Sequence, residues 1–266
     1  MLTNNIVKEK EYHNLKYLEF PELTKLGIQN IYTLKELDFS KKDENRNRDK
    51  NYKLISDIFN VNTDKLIYTY QTHSNKLLLI ENEKDLNKDR NNFDGIITNR
   101  DDIVLITNNA DCILFTIYDS KKKILANLHS GWKGTLGRIL ENALESFQNQ
   151  FKSNMKDIHI FISPSIRSCC FEVEEDVRTM FVNEFKEIEE KEYIKNKIIQ
   201  KGVNKYYIDT IYLNKKMIEK YNIPDENIFD SNICSLCNSD KVHSYRGASI
   251  ENKDSRGVLA VKILKE

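Results

Sequence analysis

The middle of the chain alternates short apolar runs with amphipathic ones. Apolar or β-branched runs of strand length fall at residues 65–70, 76–80, 103–107, 112–118, 123–128 and 158–162, each bounded by polar punctuation. Between residues 135 and 151 the period changes. Leu136, Ile139, Leu140, Ala143, Leu144, Phe147 and Phe151 recur on one face at helical spacing. The pattern predicts one helix there, capped by Thr135 after the turn Ser130-Gly131-Trp132-Lys133-Gly134. A second helix is predicted from about Glu174, carrying Val177, Met180, Phe181 and Phe185. A third is predicted over 210–221, stopped before Pro224. Residues 257–264 read as a last strand. The polar stretch 40–53 reads as a solvated loop leading into a short helix at 54–59. The charged region 183–205 reads as an exposed helix and turn, because Phe185 and Ile188 continue an apolar stripe. The class expected from this alternation is α/β or α+β, with a mixed sheet and one domain over 1–266.

Composition narrows the picture. The chain has 266 residues, of which 39% are hydrophobic, enough to bury a sizeable core and too many for wholesale disorder. Lys+Arg and Asp+Glu both number 41, so no net charge draws the chain to nucleic acid. No apolar run approaches the ~20 residues of a membrane helix, and the first residues meet charge too early for a secretory signal. A cytoplasmic protein with no membrane or nucleic-acid partner is expected. Five cysteines, an odd number, make a disulfide scaffold a poor reading and favour reduced thiols.

Three borderline-soft ligands sit where apolar runs meet turns: His73, Cys112 and His129. If strand ends in one sheet converge, two imidazoles and a thiolate give Zn²⁺ three protein ligands and an open fourth position, the pattern of catalytic zinc. The spacings do not show this, and a single His or Cys at a strand end is more often structural. Residue types alone leave both readings open.

The segments around these residues resemble a bacterial family, the laccase-domain purine nucleoside phosphorylases once described as multicopper polyphenol oxidases. The resemblance is carried by QTHSNKLLLI at 71–80, FDGIITN at 93–99, NNADCILFTIYD at 108–119 and ILANLHSGWKGTLGRIL at 124–140. It continues in ISPSIRSCCFEVEEDV at 162–177, YYIDTIYLNKKMI at 206–218, ICSLCNSDKVHSYRG at 233–247 and SRGVLAVKIL at 255–264. It implies His73, Cys112 and His129 as ligands of a catalytic zinc. It implies phosphorolysis of adenosine, inosine, guanosine and S-methyl-5′-thioadenosine, with adenosine deamination beside it, so purine nucleosides and phosphate are the expected partners. The implied fold is an α+β sandwich of mixed sheets flanked by helices, similar to cysteine hydrolases of the toxin type. Departures from the family pattern are Ser130, Lys133 and Ser163, where the family often has Ala, Arg and Gly.

Other residues take roles within this frame. Asp111, beside Cys112, is a candidate acid/base or ligand-supporting group; the alternative is a hydrogen bond within its own turn. Lys133, in the turn that opens the predicted helix, is a candidate for phosphate. Arg246 matches a family position and either binds substrate or pairs with a carboxylate. Trp132 is expected to pack under the His129 turn, and Tyr245 in the core. Glu172 and Asp209 match polar family positions that a structural hydrogen bond explains equally well. Cys234-x-x-Cys237 with His243 invites a second metal reading but lacks the other half of a structural zinc site. Cys169 and Cys170 are expected to fill space.

Three other enzyme readings compete. Cys112 with His129 as base makes a cysteine hydrolase. Copper at the same ligands makes a phenol oxidase, although one His₂Cys site falls short of the several His clusters a multicopper oxidase uses. Relatives named as peptidoglycan editing factors make a hydrolase of cell-wall precursors. A binding module braced by zinc is the non-enzyme alternative.

Overall fold

Successive residues of the central strands enter different apolar layers, and this alternation sets the architecture. In the strand Val104–Asn109, Leu105 enters the layer between two sheets, whereas Val104 and Ile106 enter a layer on the outer face. In Ile113–Asp119, Leu114 and Tyr118 face that same inner layer, and Ile113, Phe115 and Ile117 face helices on the opposite side. Strands covered on both faces have no polar side to show, which is why they read as short continuous apolar runs.

The computed structural model describes residues 2–40, 47–191, 199–202 and 205–265. One sheet runs in the order β1 (Lys8–Tyr12), β2 (Leu15–Glu19), β3 (Ile28–Thr33), β15 (Gly257–Ile263), β7 (Val104–Asn109), β4 (Leu66–Tyr68). The other runs β14 (Ile228–Asp230), β10 (Ile158–Ile162), β8 (Ile113–Asp119), β9 (Ile124–Ser130), β6 (Gly95–Thr98), β5 (Leu77–Ile80). A small third sheet joins β11 (Glu172–Val173), β13 (Lys205–Ile208) and β12 (Ile199–Gly202). The β4–β7, β5–β6 and β10–β14 pairs are parallel and the other ladders antiparallel, so both large sheets are mixed. The helices are α1 (Pro21–Lys25), α2 (Asn47–Ile58), α3 (Trp132–Leu136), α4 (Ile139–Asn149), α5 (Glu175–Glu184), α6 (Lys186–Lys191) and α7 (Thr210–Ile218). Tyr52 and Ile55 of α2 cover the outer face of the first sheet. Leu140, Leu144 and Phe147 of α4, with Ile211 and Ile218 of α7, cover the second. Phe181 of α5 and Phe185 pack with Leu213 and Met217 of α7 over the third. The result is the expected α+β sandwich of mixed sheets flanked by helices.

Three expectations need correction. The helix over 135–151 is two helices, because Arg138 adopts a left-handed backbone (φ 57°) between α3 and α4. Thr135 is therefore a buried residue inside α3 and not a cap; its Oγ1 accepts from Asn214 Nδ2 at 3.1 Å. The stretch 40–53 is not all loop, since α2 begins at Asn47; residues 41–46 lie outside the described residues. Part of the charged region 183–205 pairs as β12 and β13. Strands β1 to β3 had no clean alternation to announce them.

The two large sheets are also tied by a polar clamp. Asn127 of β9 is fully buried and donates through Nδ2 to the carbonyls of Leu259 (3.0 Å) and Leu105 (3.3 Å) in the facing sheet. Removing the amide leaves two buried carbonyls short of a donor and opens a small void. Asn127→Ala is expected to lose about 2 kcal/mol of stability in a urea titration. An unchanged midpoint would contradict the clamp.

Candidate metal centre

The candidate metal site forms where the chain crosses between the two sheets. His73 lies on the connection from β4, in the first sheet, to β5, in the second. Cys112 ends the short connection from β7 to β8, which makes the same crossing. His129 is inside β9 and not beyond its end. The ligands thus do not converge from strand ends of one sheet, as the sequence reading supposed. Tight turns deliver them: His73 (φ 62°) and Asp111 (φ 83°) both take left-handed conformations. Asn109 fixes the second turn, donating from Nδ2 to the carbonyls of Cys112 (2.6 Å) and Pro164 (3.1 Å). Gln71 fixes the first by exchanging two 2.8 Å hydrogen bonds with the backbone of Asn108.

The ligand atoms of His73, Cys112 and His129 lie within 4.8 Å of one another, with His73 Nε2 3.7 Å from Cys112 Sγ. A side chain missed by the sequence reading organises them. Asp94, with no exposed surface, accepts from the backbone N–H groups of Thr72 (3.1 Å), His73 (2.9 Å) and Ser74 (2.7 Å) and from Ser74 Oγ (2.7 Å). It also accepts from His129 Nδ1 at 2.8 Å. One carboxylate therefore holds the turn carrying His73 and the ring of His129, leaving Nε2 of His129 toward Cys112. A carboxylate behind a histidine fixes its tautomer and orientation for a metal. The only sequence signal for it was the segment 93–99, quoted above with no role for its aspartate.

Electrostatics agree with this arrangement. Burial works to raise the Asp94 carboxyl, but the His129, Ser74 and Thr72 hydrogen bonds hold it at about 2. Burial also opposes the Cys112 thiolate, yet the two imidazoles bring the thiol down to about 6. His129 moves the other way, up to about 9, because Cys112 and Asp94 favour its charged form against burial. The pair is poised as thiolate and imidazolium, and a cation can take the place of the imidazolium proton. Space is reserved as well. A Cβ on Gly131 would fall 2.4 Å from His73 Cδ2, 3.1 Å from its Nε2 and 3.2 Å from Cys112 Sγ. Glycine keeps this corner clear, and the donor set fits a divalent ion with nitrogen and sulfur ligands.

The three ligands line a cavity of about 600 Å³, within the range of small-molecule sites. Its walls carry Phe39, Tyr70, Trp132, Phe171 and Tyr245, and three cations, Arg48, Arg246 and Arg256. Tyr245 is not core but 44% exposed, and Trp132 lines the cavity as well as packing beside α5 and α7. Asp111 also lines the cavity, but its carboxylate faces the far segment of the chain: Oδ1 accepts from Ser235 Oγ (2.6 Å) and Oδ2 from the Arg246 N–H (2.8 Å). Neither bond is within its own turn. The Arg246 guanidinium donates to the Glu172 carbonyl at 2.9 Å, not to a carboxylate. Lys133 is exposed, with Nζ 5.4 Å from the centre of the Trp132 ring and outside the cavity lining. Asp209 caps α7 through Tyr212 N (2.9 Å), and Glu172 accepts from Lys205 and Tyr207. His243 donates through Nε2 to the Leu37 carbonyl (2.8 Å), apart from Cys234 and Cys237. Those two cysteines meet Cys169 and Cys170 instead.

Fold and site together describe an α+β sandwich with a His–Cys–His cluster at a sheet crossing. Residues 22–264 match the family model described as multi-copper polyphenol oxidoreductase laccase, and the chain belongs to that family. It is 29% identical over 250 residues to a purine nucleoside phosphorylase of Clostridium acetobutylicum, covering 91% of this chain and 93% of that protein. It is 30% identical over 224 residues to a purine nucleoside phosphorylase of Borreliella burgdorferi, covering 82% and 86%. A protein of an unknown prokaryotic organism named adenosine deaminase RL5 is 30% identical over 200 residues, covering 72% and 73%. The crystal structure of YlmD from Geobacillus stearothermophilus superposes with a TM-score of 0.83 at 17% identity, over 97% of this chain and 99% of that one, a likeness of fold.

The carboxylate behind the ligands yields a test. Asp94→Asn keeps the shape but loses the charge and turns an NH₂ toward N–H donors. Affinity for Zn²⁺, measured by competition with a chromogenic chelator, is expected to fall about 10–100-fold. Unchanged affinity would show that Asp94 does not position the ligands.

Proposed function

We propose that this chain is a zinc-dependent purine nucleoside phosphorylase that also deaminates adenosine. The observation that carries the reading is the juxtaposition in one cavity of the His73–Cys112–His129 cluster, aromatic walls and three arginines. The names of the relatives, purine nucleoside phosphorylase and adenosine deaminase, support it.

His73, Cys112 and His129 would hold the ion. Bound there, it supplies Lewis-acid chemistry and activates water near neutral pH. The chain's own groups do the rest. The aromatic side chains give a purine flat apolar surfaces and exclude water from the sugar. Phosphorolysis joins phosphate to C1′ while the purine departs, so an anion must be held beside a sugar that gains positive charge. Arg48, Arg246 and Arg256 can meet that anion from inside the cavity. Lys133, at the surface over Trp132, is assigned the lesser part of drawing phosphate inward. Asp111 holds the Arg246 backbone and the Ser235 hydroxyl in place, which makes it a positioning residue for Arg246. Copper oxidation of phenols fits less well. Of the five histidines, only His73 and His129 fall in a ligand cluster among the described residues.

One observation favours a second reading. The lowered Cys112 thiol, the raised His129 and the Asp94 behind it also form the thiolate, base and orienting carboxylate of a cysteine hydrolase. His73, packed against the same sulfur, is unnecessary to that chemistry and argues for the metal.

Zinc-loaded protein is incubated with adenosine, with and without phosphate, and the products are separated by chromatography. Adenine is expected only with phosphate, and inosine in either case. Both are expected to disappear in His73→Ala and on chelation, and to return to wild type with Zn²⁺. No turnover by the loaded enzyme would overturn the proposal. Activity that survives metal removal but not iodoacetamide would establish the cysteine reading.

A further inference from the structure

Outside the cavity, four of the five cysteines come together from two segments far apart in sequence. Cys169 and Cys170 lie in the turn before β11; Cys234 and Cys237 lie in the turn after β14. Their sulfurs all lie within 4.8 Å of one another. Cys169 Sγ is 3.6 Å from Cys170 Sγ and 3.9 Å from Cys237 Sγ, and Cys170 Sγ is 3.4 Å from Cys237 Sγ. A zinc ion at ~2.3 Å from four thiolates sets its sulfurs ~3.8 Å apart at the corners of a tetrahedron. The three separations scatter about that edge, and all are far longer than the ~2.05 Å of a disulfide.

We propose that Cys169, Cys170, Cys234 and Cys237 bind a second zinc ion in a structural tetrathiolate site. All four corners are filled by protein, so this ion has no open position for substrate, unlike the one at His73, Cys112 and His129. Cys234 is buried, with the backbone N–H groups of Cys237 and Arg167 facing its sulfur, as a thiolate in a C-x-x-C turn requires. Cys169 and Cys237 are exposed, which gives the ion a way in.

The location gives the site a purpose. One of its two turns borders the cavity, and the other is bonded to a residue that lines it. Ile166 and Phe171, flanking Cys169 and Cys170, line it. Ser235, next to Cys234, donates to Asp111, which in turn holds the Arg246 backbone. The ion clamps these turns to each other. Other bonds join them as well: the Ser165–Cys234 bridge, Ser235 N to Ser165 O at 3.0 Å, and Arg167 to Asp230 at 2.8 Å. A variant lacking the ion is therefore expected to fold.

The full chain, purified under reductant with zinc and desalted, is assayed for metal by mass spectrometry. Two zinc ions per chain are expected in wild type, one in Cys237→Ser and one in Cys112→Ser. Cobalt-substituted wild type is expected to show the intense d–d and thiolate-to-metal bands of four sulfur ligands, which one cysteine cannot produce. Those bands should persist in Cys112→Ser and vanish in Cys237→Ser. The cobalt spectrum of wild type stands even where a variant does not fold. No tetrathiolate bands in wild type, a zinc content that Cys237→Ser leaves unchanged, or a disulfide among these four cysteines in the reduced preparation would overturn the site.

Discussion

Asp94 carries a negative charge into a place with no exposed surface, and five hydrogen bonds from two separate pieces of chain converge on it. An isolated buried carboxylate would cost several kcal/mol or take up a proton. Here three backbone amides, a serine hydroxyl and a ring nitrogen keep it ionised. The same bonds dictate where His73 and His129 can be. The turn at 72–74 wraps the carboxylate, which places the His73 ring over Cys112. The His129 ring is pinned by its Nδ1, which commits Nε2 to the ligand side. The geometry of the His73–Cys112–His129 cluster thus follows from the need to satisfy one buried charge.

That constraint needs a rigid frame, and the sandwich provides one. The site lies where β4 leads toward β5 and β7 toward β8, each passing from one sheet to the other. Any slip between the sheets would separate His73 and Cys112 from His129. The apolar layer between the sheets, with Leu105 and Leu259 against Leu114 and Leu125, resists such slip, and Asn127 ties β9 to both facing strands two residues before His129. On the other side of the cavity, Asp111 links the Cys112 turn to Ser235 and Arg246. The wall bearing Arg246 is in this way attached to the turn bearing a ligand.

The sequence was most informative where periodicity was strong. Strands at 103–107, 112–118 and 123–128 stood out because both faces of each are buried. The apolar face of α4 was legible from Leu140, Leu144 and Phe147. The break at Arg138 was not, since the apolar spacing runs on through Leu136 and Ile139, and a left-handed residue other than glycine leaves no local mark. The three candidate ligands came from the resemblance to a family and not from spacing, because separations of 39 and 17 residues say nothing about a crossing between sheets. Asp94 was invisible for a related reason: a buried aspartate beside a glycine looks like an ordinary turn. The four cysteines showed only half of their pattern, as Cys234-x-x-Cys237. The other half, Cys169-Cys170, has no C-x-x-C spacing and becomes recognisable only when the two turns are seen side by side.

The proposed chemistry depends on an ion seated among His73, Cys112 and His129. Anomalous diffraction at the zinc edge, from crystals of zinc-replete protein, tests that most directly. A peak is expected ~2.0–2.1 Å from one nitrogen of each imidazole and ~2.3 Å from the Cys112 sulfur. A map with no peak there, in crystals whose Cys112 is neither oxidised nor modified, would contradict it.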